Sequence, residues 1–168
     1  MSIVESRDNI EETIDLNLSP IRRRKIRIDG DQNRILELDT TDIGIVNRLA
    51  EFYPKLEELQ KQFSSINVDF NEDGDITDDS FAEMGKAVAE IDKQMRKCMD
   101  EIFQSNVSEM CAPTGNMFDP INGSFRFEYI IDALSNLYGE EISKNLEKRK
   151  ETISKHTAKY KGKRKKED

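Results

Sequence analysis

Residues 24–39 alternate apolar and polar positions in two short runs. Ile26 and Ile28 alternate with charged residues in the first run, and the second run covers residues 35–38. The turn-forming segment DGDQN separates the two runs, so this stretch predicts a β-hairpin. The preceding arginines, residues 22–24, are expected to form a solvated strand edge that discourages further pairing.

An apolar pattern with the period of an α-helix follows the predicted hairpin. Its apolar residues recur at steps of three and four, and they are Ile43, Val46, Leu49, Phe52 or Tyr53, Leu56, Leu59 and Phe63. This period predicts an amphipathic helix whose apolar stripe faces the core. Thr41 or Asp42 is expected to cap its start. Pro54 is expected to kink or break it near Phe52 and Tyr53.

Two more amphipathic helices are predicted further along the chain. The middle helix carries one apolar face, made of Phe81, Met84, Val88, Ile91, Met95, Met99 and Ile102. The last helix carries Phe127, Ile130, Ile131, Leu134, Leu137, Tyr138, Ile142, Leu146 and Ile153. Between them, residues 104–125 contain two prolines and two glycines, which predict a short helical turn and a long loop.

These elements predict a mainly α fold with a small N-terminal β-hairpin, an α+β arrangement with three principal amphipathic helices. Residues 1–20 are expected to form a flexible acidic arm. Residues 21–155 are expected to form a single domain, with an acidic loop at 67–80. Residues 156–168 are rich in lysine and predict a disordered basic tail.

The acidic loop contains the sequence DFNEDGDITDDS, which resembles a calcium loop of the EF-hand type. The candidate calcium ligands are Asp69, Asn71, Asp73 and Asp75, with Gly74 at the sharp turn. Position twelve of such a loop supplies a bidentate glutamate, and this chain has Ser80 there. A hydroxyl cannot replace two carboxylate oxygens, so the pattern favours a solvated loop without a metal ion.

Ser80 has a more ordinary use in this interpretation. Together with Glu83 it matches a capping box, in which the serine accepts from the N–H of Glu83 and the glutamate reaches back. The last residue of the loop then marks the start of a helix. Calcium is not expected to be a cofactor.

Composition and charge favour an interaction protein. Charged and hydrophobic residues each make up 36% of the chain, and the net charge is −8. Residues 144–168 carry +7, so the remainder carries −15. An acidic body with a basic end is common in interaction proteins. The basic end has one aromatic residue, Tyr160, which favours a solubilising role over nucleic-acid binding.

Candidate chemistry is sparse. The single histidine, His156, lies in the basic tail, and Cys98 and Cys111 form no CxxC pair. Nucleotide-binding glycine motifs and a nucleophile elbow are lacking. We therefore expect no catalytic, cofactor or metal residues, and no enzymatic activity. An apolar run of membrane-spanning length and a leader peptide are also lacking, which predicts a cytoplasmic location.

The order of elements resembles the tail assembly chaperones of siphophages and prophages of Gram-positive bacteria. The matching segments are IRIDGDQNRILELD, CMDEIFQSNVSEMC, GNMFDP and FEYIIDALSNLYGEEI, within residues 24–155. Family members often contain D-x-I-F-G; here Asp100, Ile102 and Phe103 match and Gln104 replaces the glycine. The acidic loop at Asp69 has no counterpart.

The resemblance implies a non-enzymatic protein in the host cytoplasm that binds and solubilises the tape-measure protein and helps to recruit tail-tube subunits. Candidate partner-binding residues are Ile102, Phe103, Met110, Met117 and Phe118. Methionines suit adaptable contacts, although a core role is favoured for most of them. Self-association is a further expectation. Two alternatives stay open: a structural tail or head-completion protein of the virion, and a calcium-responsive binding module.

Overall fold

The structure is a computed structural model that describes residues 15–16 and 23–164, with side chains up to residue 159. In chain order the elements are β1 (Arg24–Arg27), β2 (Ile35–Leu38), α1 (Ile45–Ser64), α2 (Asp78–Phe103), α3 (Val107–Cys111), β3 (Pro120–Ile121), β4 (Ser124–Phe125) and α4 (Arg126–Arg164). The predicted mainly α fold with an N-terminal hairpin is confirmed. Most of the predicted acidic arm and residues 165–168 lie outside the described residues.

Strands β1 and β2 pair antiparallel, with Arg24 opposite Leu38 and Arg27 opposite Ile35. Leu36 and Leu38 of β2 are buried, whereas Ile35 points outward. The predicted hairpin is present, and the alternation in its second strand gives it one core-facing side.

Helix α1 contributes to the core through most of the predicted stripe, and only the start of the stripe differs. Its core-facing positions are Ile45, Leu49, Phe52, Leu56, Leu59 and Phe63. Ile43 and Val46 are exposed instead. The apolar residues of this segment occupy two neighbouring rows on the helix, and only one row is covered by the rest of the domain.

A cap of α1 by Thr41 or Asp42 is wrong, and so is a break of the helix at Pro54. The N-cap residue is Gly44, which has no side-chain cap, although Asp42 Oδ1 accepts from the Gly44 N–H at 2.8 Å just before the helix. Pro54 lies inside the helix without ending it. Pro54 is exposed, so the carbonyl that loses its amide partner is on a solvated side of the helix.

The start of α2 also differs from the prediction. Thr77 is the N-cap and its Oγ1 accepts from the Ser80 N–H at 3.2 Å, so the capping box of Ser80 and Glu83 is wrong. The hydroxyl of Ser80 instead accepts from the Asp69 N–H at 2.9 Å. Thr77, and not Ser80, caps α2 because the helix starts at Asp78 and a capping side chain reaches two or three residues forward.

The segment between α2 and α4 contains the predicted helical turn, α3, and a small hairpin that the prediction missed. Strands β3 and β4 pair through a two-residue turn at Asn122 and Gly123, whose φ angles are 49° and 85°. Asn-Gly is the preferred pair for such a turn because both positions require positive φ.

Helix α4 extends beyond the end predicted for it, to Arg164, so residues 156–164 have a helical backbone where a disordered tail is expected. Phe127, Leu134 and Tyr138 bury its first half in the core. From Ser143 onward every described side chain is exposed. Lysine, arginine and glutamate are good helix formers, which allows the helix to continue without tertiary support. We call residues 143–164 the basic extension.

The core joins both halves of the chain. Helices α1 and α2 pack against each other, and Phe63 of α1 stacks on Phe118 with ring centroids 4.7 Å apart. Phe125 and Phe127 pack edge-on or tilted against Phe118 at 5.4 Å. These rings fix the start of α4 beside α1. Among the helices of the described residues, none is both long and apolar enough to cross a membrane.

Candidate protein-binding surface

The partner-binding residues predicted from the sequence lie in or against the core. Ile102, Phe103, Met117 and Phe118 are buried, and Met110 is half-buried against the core. Their side chains hold α2, α3 and the following loop together. They offer almost no surface to a partner in this conformation, so a binding surface has to be built from other residues.

The D-x-I-F motif has a structural role at the end of α2. Asp100 accepts from the backbone N–H and the hydroxyl of Ser108, at 2.7 and 2.8 Å, and so caps the start of α3. Gln104 ends α2 in the left-handed region, with φ 52° and ψ 42°. A glycine at this position would adopt that conformation without strain.

Two partly buried arginines satisfy carbonyl groups at helix ends. Arg34 donates to the Met110 and Cys111 carbonyls at the end of α3, at 2.8 and 3.0 Å. Arg48 donates to the Ile102 carbonyl at 2.6 Å and to Asp42 at 2.7 Å. The Arg48 hydrogen bond lowers the pKa of the Asp42 carboxyl below its usual value. These arginines are structural groups and are already engaged.

The acidic loop closes on its own hydrogen bonds. Asn71 Oδ1 accepts from the backbone N–H groups of Asp73 and Asp75, at 3.0 and 2.8 Å. Phe70 and Ile76 form an antiparallel bridge across the loop. The candidate ligand oxygen of Asn71 is thus occupied by the loop backbone. The described part of the chain contains no group of three or more His, Cys, Asp or Glu side chains arranged to hold a metal ion.

Both cysteines are free thiols, Cys98 buried and Cys111 half-buried. Burial raises the pKa of the Cys98 thiol and raises that of Cys111 to about 11. Burial also raises the pKa of Tyr138. A thiol with a raised pKa carries little thiolate at neutral pH, so neither cysteine has the character of a nucleophile.

An apolar row on α1 is left uncovered by the domain. Val46 and Tyr53 are 62% and 60% exposed, and they lie two helical turns apart on the same side of the helix. Ile43, in the turn before the helix, is also exposed. Exposed apolar side chains grouped along one line are typical of an interaction surface.

This apolar row leads into a groove between α1 and the start of α4. The groove has a volume of about 280 Å³, and Tyr53 forms part of its wall. Its remaining lining residues are Leu56, Glu57, Gln60, Ser124, Phe127, Glu128, Ile131 and Asp132. We call it the α1–α4 groove. Leu56, Phe127 and Ile131 supply its apolar floor.

The rim of the α1–α4 groove is acidic. Glu57 comes from α1, and Glu128 and Asp132 come from α4. Within the described residues, none of these three carboxylates takes part in a salt bridge. Glu128 accepts from the Phe125 N–H at 2.7 Å, which orients it at the start of α4. An apolar floor with unneutralised acidic edges suits an amphipathic partner with basic flanks.

Sequence reasoning missed this groove because no local pattern states which helices become neighbours. One signal was present: the apolar residues of α1 are too numerous for a single core-facing row. Val46 and Tyr53 fit the three-and-four spacing as well as Ile45 and Phe52 do, and only the packing of the domain separates the two rows.

Comparison of the chain with models of protein families, with curated proteins and with solved structures finds no match.

Proposed function

We propose that this protein is a phage tail assembly chaperone that binds amphipathic helices of the tape-measure protein and keeps them soluble until tail-tube subunits replace it. The α1–α4 groove is the observation that carries the proposal, together with the order of elements resembling such chaperones. The protein acts by binding, without catalysis, in the cytoplasm of the bacterial host.

The groove suits one turn or two of a client helix. Apolar client side chains at steps of three and four would contact exposed Tyr53 and half-buried Ile131, above the buried ring of Phe127. Lysines or arginines beside them would face Glu57 and Asp132. Burying apolar surface contributes roughly 25 cal/mol per Å², and the acidic edges select among partners by charge.

A groove this small also suits reversible binding. A volume of about 280 Å³ accommodates a few side chains of a helix, not an entire domain. Many copies of the chaperone, each bound weakly, would together cover a long client. Each copy could still be displaced. Displacement is required if tail-tube subunits take over the client during assembly.

The test is co-expression of the chain with helical fragments of a tape-measure protein. The chain should increase the soluble fraction of these fragments and co-purify with them. Tyr53→Glu should remove both effects, because it places a like charge beside the acidic rim. Tyr129→Glu is the matched control, since Tyr129 is an exposed tyrosine on a different groove, beside Ile130 and Ala133.

The outcomes separate the proposal from its rivals. Loss of binding in Tyr129→Glu but not in Tyr53→Glu would place the client site elsewhere and contradict the role of the α1–α4 groove. Mass spectrometry of purified particles addresses the structural alternative. A chaperone is absent from finished particles or present far below one copy per tail-tube subunit, whereas a virion component is present in stoichiometric amounts.

A further inference from the structure

We infer that the chain forms an antiparallel homodimer in which the basic extension of each copy occupies the α1–α4 groove of the other. The dimer does not depend on the proposed function, because both of its contact surfaces belong to this chain. Where the groove also binds a client, the second copy and the client compete for it, and that competition alone rests on the proposed function.

Within the described part of the chain, the basic extension is a helix whose side chains up to residue 159 are exposed. Leu146 and Ile153 are 49% and 52% exposed and are spaced by seven residues, so they lie in one row. Arg149 and Lys150 flank this row on its two sides, given 100° of rotation per residue. The extension is therefore itself an amphipathic helix with basic flanks, which is the chemistry that the α1–α4 groove suits.

The charges along α4 favour binding of the extension to the groove and disfavour pairing between two extensions. Residues 144–159 contain six Lys/Arg and two Glu, a net charge of +4. Two such helices side by side would repel each other. The first part of α4, residues 126–141, contains one arginine and four acidic residues, a net charge of −3. Antiparallel alignment of two α4 helices places each basic half against an acidic half.

The length of α4 requires that the groove bind the extension of a second copy and not that of its own chain. Ile131 in the groove and Ile153 in the extension are on one continuous helix. At about 1.5 Å per residue, the 22 residues between them span roughly 33 Å. The extension cannot return to the groove of its own chain without breaking α4.

The middle of α4 allows two helices to cross closely. Pairing Ile131 of one copy with Lys150 of the other places the two-fold axis near residue 140. Gly139 lies at that point, is exposed, and has open space where a side chain would be. A glycine inside a helix costs about 1 kcal/mol relative to alanine. Close approach of a second helix at this position would explain the presence of a glycine.

Sedimentation velocity on the purified full-length chain tests the inference. We expect a concentration-dependent dimer that weakens as NaCl rises from 50 to 500 mM. Ile153→Glu should weaken dimerisation at least tenfold, and so should the pair Glu57→Lys with Asp132→Lys. Circular dichroism should confirm that all these variants fold, because the substituted side chains are exposed.

Charge exchange makes the test specific. A chain that carries Glu57→Lys, Asp132→Lys, Arg149→Glu and Lys150→Glu together should recover dimerisation, because the reversed charges again oppose one another. The control pair Glu83→Lys with Glu90→Lys, on an exposed part of α2, should leave the dimer unchanged.

Three results would overturn the inference. One is a monomer at 200 μM in low salt. Another is a dimer that Ile153→Glu disrupts but the groove pair does not, which would mean that the extension binds a different surface. The third is a dimer disrupted by Phe81→Ser and unaffected by Ile153→Glu, which would place the contact at the start of α2. No client is present in this experiment, so its failure leaves the chaperone proposal standing.

Discussion

Asp92 and Arg96 lie one turn apart on α2 and form an ion pair with an N–O distance of 2.8 Å. Each also holds the loop that follows α3. Asp92 accepts from the Met117 N–H at 2.7 Å, and Arg96 donates to the carbonyls of Ala112 and Gly115, both at 2.8 Å. This pair positions the Phe118 region of the core and, through it, the start of α4.

Replacing Arg96 should therefore destabilise the whole domain. We expect Arg96→Ala to lower the free energy of unfolding by about 3 kcal/mol, because it leaves Asp92 Oδ2 and the carbonyls that Arg96 binds without that donor in a partly buried place. Urea denaturation measures the change. Lys97→Ala is the control: Lys97 is exposed and 3.9 Å from Glu101, so its effect should stay within about 0.5 kcal/mol. Equal effects of the two variants would contradict this role.

The end of α2 offers a stabilising substitution. Gln104 has φ 52°, where residues with a side chain are strained, so Gln104→Gly should raise the free energy of unfolding by roughly 0.5 kcal/mol. The same change at Gln94, inside α2, should lower it by about 1 kcal/mol. Thermal melts of both variants provide the measurement. If glycine destabilises both positions alike, residue 104 does not occupy the left-handed conformation.

Hydrophobic periodicity predicted the elements that are long or regularly alternating. The two alternating runs identified the hairpin, and the apolar face from Ile91 to Ile102 identified α2. These patterns are local, and burial of one face follows from them directly. The small hairpin at Asn122 and Gly123 had a local signal too, but its strands are only two residues long.

The details that were predicted wrongly depend on competition between neighbours. Thr77 and Ser80 can both cap a helix, and the choice depends on where the chain enters α2. Val46 and Ile45 are both apolar, and tertiary packing decides which of them is buried. The α1–α4 groove depends on the same packing, since the aromatic contacts of Phe63 and Phe118 bring α1 and α4 together.

The thiols should react slowly in the folded protein. Because the pKa of Cys111 is raised to about 11, its thiolate fraction at pH 8 is on the order of one in a thousand. Reaction with a disulfide reagent should be at least tenfold slower in the folded chain than in urea at pH 8. Its rate should increase with pH up to the raised pKa. A folded-state rate equal to the unfolded one would contradict the burial of these thiols.

Calcium should bind weakly or not at all. The loop has Ser80 where a bidentate glutamate is required, and Asn71 already accepts two backbone hydrogen bonds. Isothermal titration should give no dissociation constant tighter than about 10 μM, the range of calcium sensors. Ser80→Glu should increase calcium affinity if the loop can open into the EF-hand geometry. A tight site in the unmodified chain would support the calcium-responsive alternative instead.

We propose that the α1–α4 groove binds amphipathic helices with basic flanks. The most direct measurement is isothermal titration of the purified chain with a helical peptide from the tape-measure protein, comparing the unmodified chain with Tyr53→Glu and Tyr129→Glu. We expect saturable binding that Tyr53→Glu weakens at least tenfold and Tyr129→Glu leaves unchanged. Equal affinity of all three proteins for the peptide would contradict it.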